Sequence, residues 1–515
     1  MGEMLYPIGI QEFDKLRTGG YVYVDKTMYI HELVRTGCCY FLGRPRRFGK
    51  SLLISTMEAY FSGKRDLFEG LAIERLTKEW TVYPVLHLDL NGGKYDTADS
   101  LDNALNKALL KWENVYGTAA GETTLAYRFE GIVQRAAEKT GQKVVILVDE
   151  YDKPLIQSIL DEKLQDNYRR TLKAFYSVLK TQDRYIKFAF LTGVTKFGKV
   201  SVFSDLNNLQ DISMQEKYVA ICGITEEEIR QYFEQSINEM ASANGMSYKD
   251  AFAKLKNQYD GYHFEIDTEG IFNPFSLLNA FNEKKFKNYW FETGTPTFLV
   301  ELLKHHNYNL NNLTKERLTS DVLNCVDSVA TNPVPMIYQS GYLTIRDYLP
   351  RFEKYLLGFP NKEVETGFFK FLLPAYVPAR ETSEFDISLF VEDVESGDAD
   401  GFMQRLQGFF ASANNKIVGD MEKYFQNALY IIFKIMGFYT EVEHNTSHGC
   451  VDILIKTPEY IYVMECKLDK SAKEALEQIE SKGYAAPFAM DKRKLYKIGV
   501  NFSSGTRDID DYAIV

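Results

Sequence analysis

Asp452, Glu465 and Lys467 could together build a site for phosphodiester chemistry. They lie on two apolar runs, Gly449–Ile455 and Tyr460–Lys467, joined by a turn at Lys456–Glu459. Read as a hairpin centred near Pro458, the pairing puts Asp452 almost opposite Met464, and so close to Glu465. The period of two puts Glu465 and Lys467 on one face. Two carboxylates and one ammonium then converge. Hard oxygen donors suit Mg²⁺ or Mn²⁺. Asp452, Glu465 and the carbonyl of Cys466 are the expected ligands, and the ion would lower the pKa of a bound water. Lys467 would position that water or offset developing charge. Similar charged triplets, Glu283-Lys284-Lys285 and Asp161-Glu162-Lys163, fall in helical, charged contexts and read as solvated faces. Glu465-Cys466-Lys467 differs because it ends an apolar strand opposite an acid, where charge is costly unless paired or metal-bound.

Two helices must flank this hairpin. Asp420–Phe438 is amphipathic, with Phe425, Leu429, Ile432 and Met436 on one stripe. Glu422 falls on that apolar face and needs a partner; the metal site is the candidate, and Glu422 would orient a metal-bound water. After the hairpin, Ser471 or Asp469 can cap a helix over Ala472–Lys482. That helix carries Gln478, which reads equally well as a surface residue, with Tyr484 beyond it.

A second constellation lies near the N-terminus. The strand Cys39–Leu42 runs into Gly43-Arg44-Pro45-Arg46-Arg47-Phe48-Gly49-Lys50-Ser51 and then a helix, Leu52–Phe61. Strand, loop, Gly-Lys-Ser and helix is the context a phosphate loop needs. Backbone N–H groups and the positive helix end would hold phosphates. Lys50 would reach the β- and γ-phosphates, and Ser51 would hold Mg²⁺. Arg44 stands where the usual pattern has its first glycine. Roughly a hundred residues on, the apolar strand Val144–Val148 ends in Asp149-Glu150. Ligands of such sheets sit at the strands' carboxyl ends. Asp149 would hold Mg²⁺, and Glu150 would polarise the attacking water. A third strand, Phe188–Leu191, leads to Thr192 and Lys196. Thr192 could sense the γ-phosphate; Lys196 reads equally as a phosphate contact or a surface lysine.

These sites sit in an α/β chain of 515 residues, long enough for several domains. The apolar runs Cys39–Leu42, Val85–Leu90, Val144–Val148 and Ile186–Leu191 lack polar alternation, as strands of a parallel sheet covered on both faces do. From about 221 the chain turns helical, with Thr225 and Glu228 forming a capping box. A strand is expected over Met336–Ile345. The expected division is a nucleotide-binding domain over 1–215, a helical lid over 216–285, a mixed, winged-helix-like middle region over 286–400, and a nuclease-like α/β domain over 401–515.

A net charge of −11 argues against broad, salt-driven coating of nucleic acid, while leaving room for a local basic channel. The six cysteines form no CxxC pair, so a zinc cluster is not expected. Scattered thiols, an N-terminus unlike a signal peptide and the lack of any apolar stretch of membrane-spanning length point to the cytoplasm, with no membrane partner.

Taken together, these residues resemble the bacterial AAA-ATPase-like proteins with a C-terminal PD-(D/E)xK nuclease domain. The likeness spans nearly the whole chain. It is most specific at Tyr23-Val24-Asp25-Lys26-Thr27, at Arg44 to Ser51, at Val148-Asp149-Glu150-Tyr151-Asp152-Lys153-Pro154, at Thr192-Gly193-Val194-Thr195 with Phe203 to Leu209, and at the Asp452/Glu465-Cys466-Lys467 hairpin. The resemblance implies a P-loop NTPase with a parallel sheet and a restriction-endonuclease-like domain. It makes Arg44 normal for the family. It implies that Arg44, Arg47, Gly49, Lys50, Ser51, Asp149, Thr192 and Lys196 hold ATP, with Mg²⁺ at Ser51 and Asp149. Gln478 and Tyr484 look like the Gln…Tyr pair of some nucleases of this superfamily. Cys450 stands where the family often has Arg, which removes one expected phosphate contact but no metal ligand.

Two readings follow. One is an enzyme that hydrolyses ATP and cleaves nucleic acid, DNA before RNA, with Mg²⁺ or Mn²⁺. The other is a nucleotide-dependent switch whose nuclease fold only binds nucleic acid or a protein. A homo-oligomer is compatible with either.

Overall fold

The computed structural model describes the chain except residues 1–3, 197–201, 204–205, 292–296, 324–331, 377–386, 412–420, 438, 447–448 and 507. Within helices and strands, the side chains of 297, 387, 421–422, 424, 439–446 and 449–451 are also undescribed. The chain forms two compact units. One comprises Met1–Gly294 and Glu316–Val364; the other comprises Thr295–Lys315 and Glu365–Val515.

The first unit is built on a parallel sheet of β1 (Cys39–Gly43), β2 (Val85–Asp89), β3 (Val144–Asp149), β4 (Ile186–Gly193) and the short β5 (Gln210–Asp211), in the order β2-β3-β4-β1-β5. All four predicted apolar runs are strands. The three central strands are buried almost throughout, as expected of a parallel sheet covered on both faces. The order matters more than the count. Strand β4 lies between β1 and β3, with Leu42 opposite Thr192, Gly43 opposite Gly193 and Val148 opposite Leu191. The carboxyl ends of β1, β4 and β3 therefore stand side by side.

The helix Glu226–Ala243 opens on the expected capping box. Thr225 Oγ1 accepts from the Glu228 amide at 3.2 Å, and the Glu228 carboxylate accepts from the Thr225 amide at 2.8 Å. Together these satisfy two otherwise orphaned donors. The expected strand over Met336–Ile345 is a correction: Val334–Gln339 is a helix, and a strand starts only at Thr344. Pro335 in the first helical turn has its φ preset for helix, which outweighs the apolar run. Gly341 then turns the chain at φ +88, packed so that a Cβ there would meet Pro45 of the phosphate loop at 2.5 Å. Strands β6 (Arg317–Thr319), β7 (Thr344–Leu349) and β8 (Lys354–Gly358) form an antiparallel sheet in the order β6-β8-β7.

The second unit holds a mixed sheet of β9 (Tyr439–Thr446), β10 (Gly449–Lys456), β11 (Tyr460–Leu468), β12 (Lys494–Ser503) and β13 (Asp508–Ile514), in the order β13-β12-β11-β10-β9. Only β11 and β12 run parallel. The crossover between them carries the helix Ala472–Ser481, capped by Ser471. Asp469 instead accepts from Ser504. This helix lies directly on β12 at Gly499, where a Cβ would meet the carbonyl of Ala472 at 2.2 Å. Among the described residues, no helix is long and apolar enough to cross a membrane.

Candidate active sites

The phosphate loop leaves β1 at Gly43 and re-enters regular structure in the helix Lys50–Phe61. Gly49 makes the turn at φ +91, a conformation other residues resist. Phe48 pegs the loop: it is buried against Tyr262 and Phe264, and its carbonyl accepts from Gly223 at 3.1 Å. Lys50 is 4% exposed, and its ammonium donates to the loop carbonyls of Arg44 at 3.0 Å and Pro45 at 3.1 Å. Ser51 follows on the same helix, half-buried.

Beside the loop, Thr192 at the end of β4 donates to the carboxylate of Asp149 at the end of β3, 2.6 Å away. Both are buried. Glu150 follows at φ +51, a left-handed backbone that costs a non-glycine residue on the order of 1 kcal/mol or more. Its side chain is half-buried, open enough to meet a water. Asp152 is 1% exposed, and burial pushes its carboxyl up to about 6.

The arrangement thus brings together Gly49, Lys50, Ser51, Asp149, Glu150 and Thr192. Three other expected nucleotide contacts donate to protein groups. Arg44 is buried, donates to the carbonyls of Gly43, Ser213 and Tyr218 at 2.7–3.0 Å, and stacks on Phe264. Arg47, at φ +68, donates to the carbonyls of Tyr289 and Trp290 and lies over Phe275. Lys196 pairs with Asp211 on β5.

Next to Gly49 opens an apolar cavity of about 100 Å³, walled by Tyr23, Val24, Leu52, Ile224, Phe233 and Leu278. Lys26 lines it too, ion-paired to both oxygens of Glu228 at 2.5 and 2.6 Å. Burial lowers the pKa of Lys26, and the Glu228 charge opposes that shift. The N-terminal segment is thereby tied to the capping box of helix Glu226–Ala243.

In the second unit, Ile453 pairs with Met464, so the hairpin register falls one residue from the expected one and aligns Asp452 with Glu465. Asp452 Oδ2 accepts from the Cys466 amide at 2.8 Å. Glu465 is 2% exposed. Its Oε1 accepts from Lys467 at 2.9 Å and from Gln478. Among the described residues, its Oε2 is buried with no hydrogen-bond partner. Burial raises the Glu465 pKa against the pull of Lys467. Burial alone would lower that of Lys467, but the Glu465 carboxylate outweighs it and raises it. Tyr484, buried, lies 3.5 Å from the Gln478 amide. Asp452, Glu465, Lys467, Gln478 and Tyr484 therefore converge. Glu422 lies in the helix Met421–Met436, but its side chain is outside the described residues. No three His, Cys, Asp or Glu side chains form a metal cage among the described residues. Two carboxylates and a main-chain carbonyl still suit a hard ion that keeps several waters, and the orphaned Oε2 fits such an ion.

Residues 7–203 match a family model described as a predicted AAA-ATPase, and residues 420–512 match one for the PD-(D/E)XK nuclease superfamily. The chain is 33% identical over 524 residues to an uncharacterised protein in the vnfD 5′ region of Azotobacter chroococcum mcd 1, covering 100% of this chain and 99% of that protein. The chain belongs to the AAA-ATPase-like family with a C-terminal PD-(D/E)XK nuclease domain. Among solved structures, the Aeropyrum pernix ORC2 protein, in ADPNP–ADP complexes, matches over 65% of this chain and 87% of that chain at 11% identity and a TM-score of 0.23.

Three features of this AAA-ATPase-like chain escaped the sequence. The apolar cavity draws its walls from segments about 200 residues apart; the Tyr23–Thr27 motif, singled out without a role, was its one signal. Asp152 was visible only in a motif and as a fallback base after Glu150, not as a group that holds the turn at the end of β4. Gly499 carries no chemistry, yet its missing Cβ lets Gln478 reach Glu465.

Proposed function

We propose that the AAA-ATPase-like unit binds and hydrolyses ATP with Mg²⁺, and that the nuclease-like unit cleaves nucleic acid phosphodiesters, DNA before RNA, with Mg²⁺ or Mn²⁺. In the first site, phosphate oxygens take the place of the loop carbonyls that now hold Lys50. Ser51 and Asp149 hold the ion, Thr192 steadies Asp149, and Glu150 accepts the proton of the attacking water. The cavity beside Gly49 takes the base. Arg44 braces the loop, and Arg47 and Lys196 reach phosphate only by exchanging their present partners.

In the second site, Asp452, Glu465 and the Cys466 carbonyl would hold the divalent ion, and Glu422 would orient a water. A divalent ion here would supply a low-pKa water and charge neutralisation. Lys467 offsets developing negative charge. Gln478 and Tyr484 fix the Glu465 carboxylate. The four-part division over 1–215, 216–285, 286–400 and 401–515, and assembly into a homo-oligomer, remain proposals alongside these roles.

Glu465 carries the enzymatic reading over the switch. A buried carboxylate with one oxygen unpartnered is costly, and a module that only binds has no use for it. The test is nicking of supercoiled plasmid with Mg²⁺ or Mn²⁺, beside an RNA substrate of matched length. Cleavage that disappears with chelator is expected. No cleavage of either substrate in any divalent ion leaves the binding-module reading.

A further inference from the structure

Beyond the groups that touch nucleotide in this reading, a third acid stands at the site. Asp152 lies on the turn after β3 and is 1% exposed. Its Oδ2 accepts three hydrogen bonds, all from the turn that ends β4: the Val194 amide at 3.0 Å, the Thr195 amide at 2.5 Å and the Thr195 hydroxyl at 2.6 Å. Its neighbour Tyr151 adds two more, from its amide to the Thr192 carbonyl at 3.0 Å and from its hydroxyl to the Thr195 carbonyl at 3.1 Å. Thr195 is fully buried.

This stitching reaches the phosphate loop. Between Thr192 and Val194 lies Gly193, whose carbonyl accepts from the Arg44 amide at 3.1 Å. The Arg44 carbonyl in turn accepts from Lys50. A Cβ on Gly193 would meet Asp152 Oδ1 and the Tyr151 ring, each at 2.8 Å, so the turn is closed on that acid without room to spare. Asp152 is poorly suited to accept the proton of a water itself. Its Oδ2 is filled by three donors, and its Oδ1, without a partner among the described residues, is buried against Gly193, whereas Glu150 is half open.

We propose that Asp152 is a positioning residue of the ATPase site, setting the end of β4 so that Thr192, Asp149 and the start of the phosphate loop keep their places relative to Glu150. The inference rests on the ATPase reading above. The grip on nucleotide comes from the loop and from helix Lys50–Phe61, which Asp152 reaches only through Gly193 and the Arg44 amide, so binding changes far less than turnover when Asp152 is lost. Turnover depends on the geometry between Glu150 and Thr192, and misplacement on the scale of 1 Å costs up to roughly 100-fold.

The test is ATP binding and turnover, measured separately on the full chain for the parent, Asp152→Asn, Thr195→Val and the double variant. Asp152→Asn keeps the size and one acceptor; Thr195→Val removes a single donor and spares the fold if the first variant does not. For Asp152→Asn, kcat is expected to fall roughly 10- to 100-fold while the Kd for ATP stays within about threefold. Thr195→Val is expected to lower kcat in the same direction by less. The double variant should be no worse than Asp152→Asn alone, because both act through one contact. A parent that turns over no ATP sinks the ATPase reading itself. A parent that does, with kcat unchanged in both single variants, sinks the positioning role. So do losses of Kd that match the losses of kcat, and single effects that simply add.

Discussion

Gln478 donates its side-chain amide to Glu465 from a helix that begins only after β11 has ended. The bond occupies the same carboxylate oxygen that Lys467 holds, while the other oxygen is buried without a partner among the described residues. In the proposed reading, that oxygen is the one offered to the divalent ion.

Asp452 and Lys467 should fail differently. Asp452→Ala and Lys467→Ala are each expected to abolish metal-dependent cleavage and to leave ATP binding intact. Asp452→Ala also weakens Mn²⁺ binding, because a hard ligand is lost. Lys467→Ala leaves Mn²⁺ binding close to the parent's, since an ammonium repels the ion. Calorimetric titration with Mn²⁺ beside the nicking assay checks this; equal loss of metal in both variants would give Lys467 a structural role instead.

Lys50→Ala is expected to remove stabilisation by ATP. At about a hundredfold excess over Kd, a ligand adds about 2.7 kcal/mol to the folded state. Thermal unfolding with and without ATP–Mg²⁺ measures the effect. A variant that ATP stabilises as well as it does the parent would rule out the phosphate-loop assignment.

Glu150→Gln should bind ATP and turn it over slowly, since loss of a positioned base costs ~10²–10⁴-fold. Equilibrium binding and steady-state phosphate release together distinguish this from lost affinity. Turnover at the parent's rate would take the base role away from Glu150.

Glu363 gives the first unit a pH dependence. Burial raises its carboxyl to about 7, while its Oε1 accepts from the Trp290 amide at 3.0 Å. The folded state therefore holds this proton more tightly than the unfolded chain. The stability this contributes is full below the ordinary carboxyl range and is lost as pH rises through about 7. Glu363→Gln keeps an acceptor for Trp290 but cannot ionise. Melting temperatures at pH 5 and pH 8 should diverge less in the variant, by up to about 3 kcal/mol in stability. A variant whose loss between the two pH values matches the parent's assigns that dependence to other groups.

Much of the chemistry was legible because it sits where local patterns are strongest. The runs Cys39–Leu42 and Val144–Val148 are apolar without alternation, and each ends in a group with no business in a core, so strand and site announce one another. The Asp452–Lys467 hairpin was placed to within one residue because the turn at Pro458 fixes the pairing. Over Met336–Ile345 the same reasoning failed: apolar periodicity is ambiguous over a short run, and Pro335 decided for helix. Arg44, Arg47 and Lys196 were assigned from the charge and place of a single segment. Their partners, the carbonyls of Ser213, Tyr218, Tyr289 and Trp290 and the carboxylate of Asp211, arrive from elsewhere in the fold, and no local pattern records them.

The order β2-β3-β4-β1-β5 also sets a timetable for the nascent chain. Strand β1 is made first, yet among the described residues it pairs only with β4 and β5. Some 150 residues separate Gly43 from Gly193, so at ordinary rates of synthesis Cys39–Leu42 waits roughly 8–30 s for its neighbour. Through that interval a wholly apolar strand emerges from the ribosome with both edges bare. Slowed elongation between the two strands would lengthen the exposure, and a chaperone that binds short apolar segments should find its first target there.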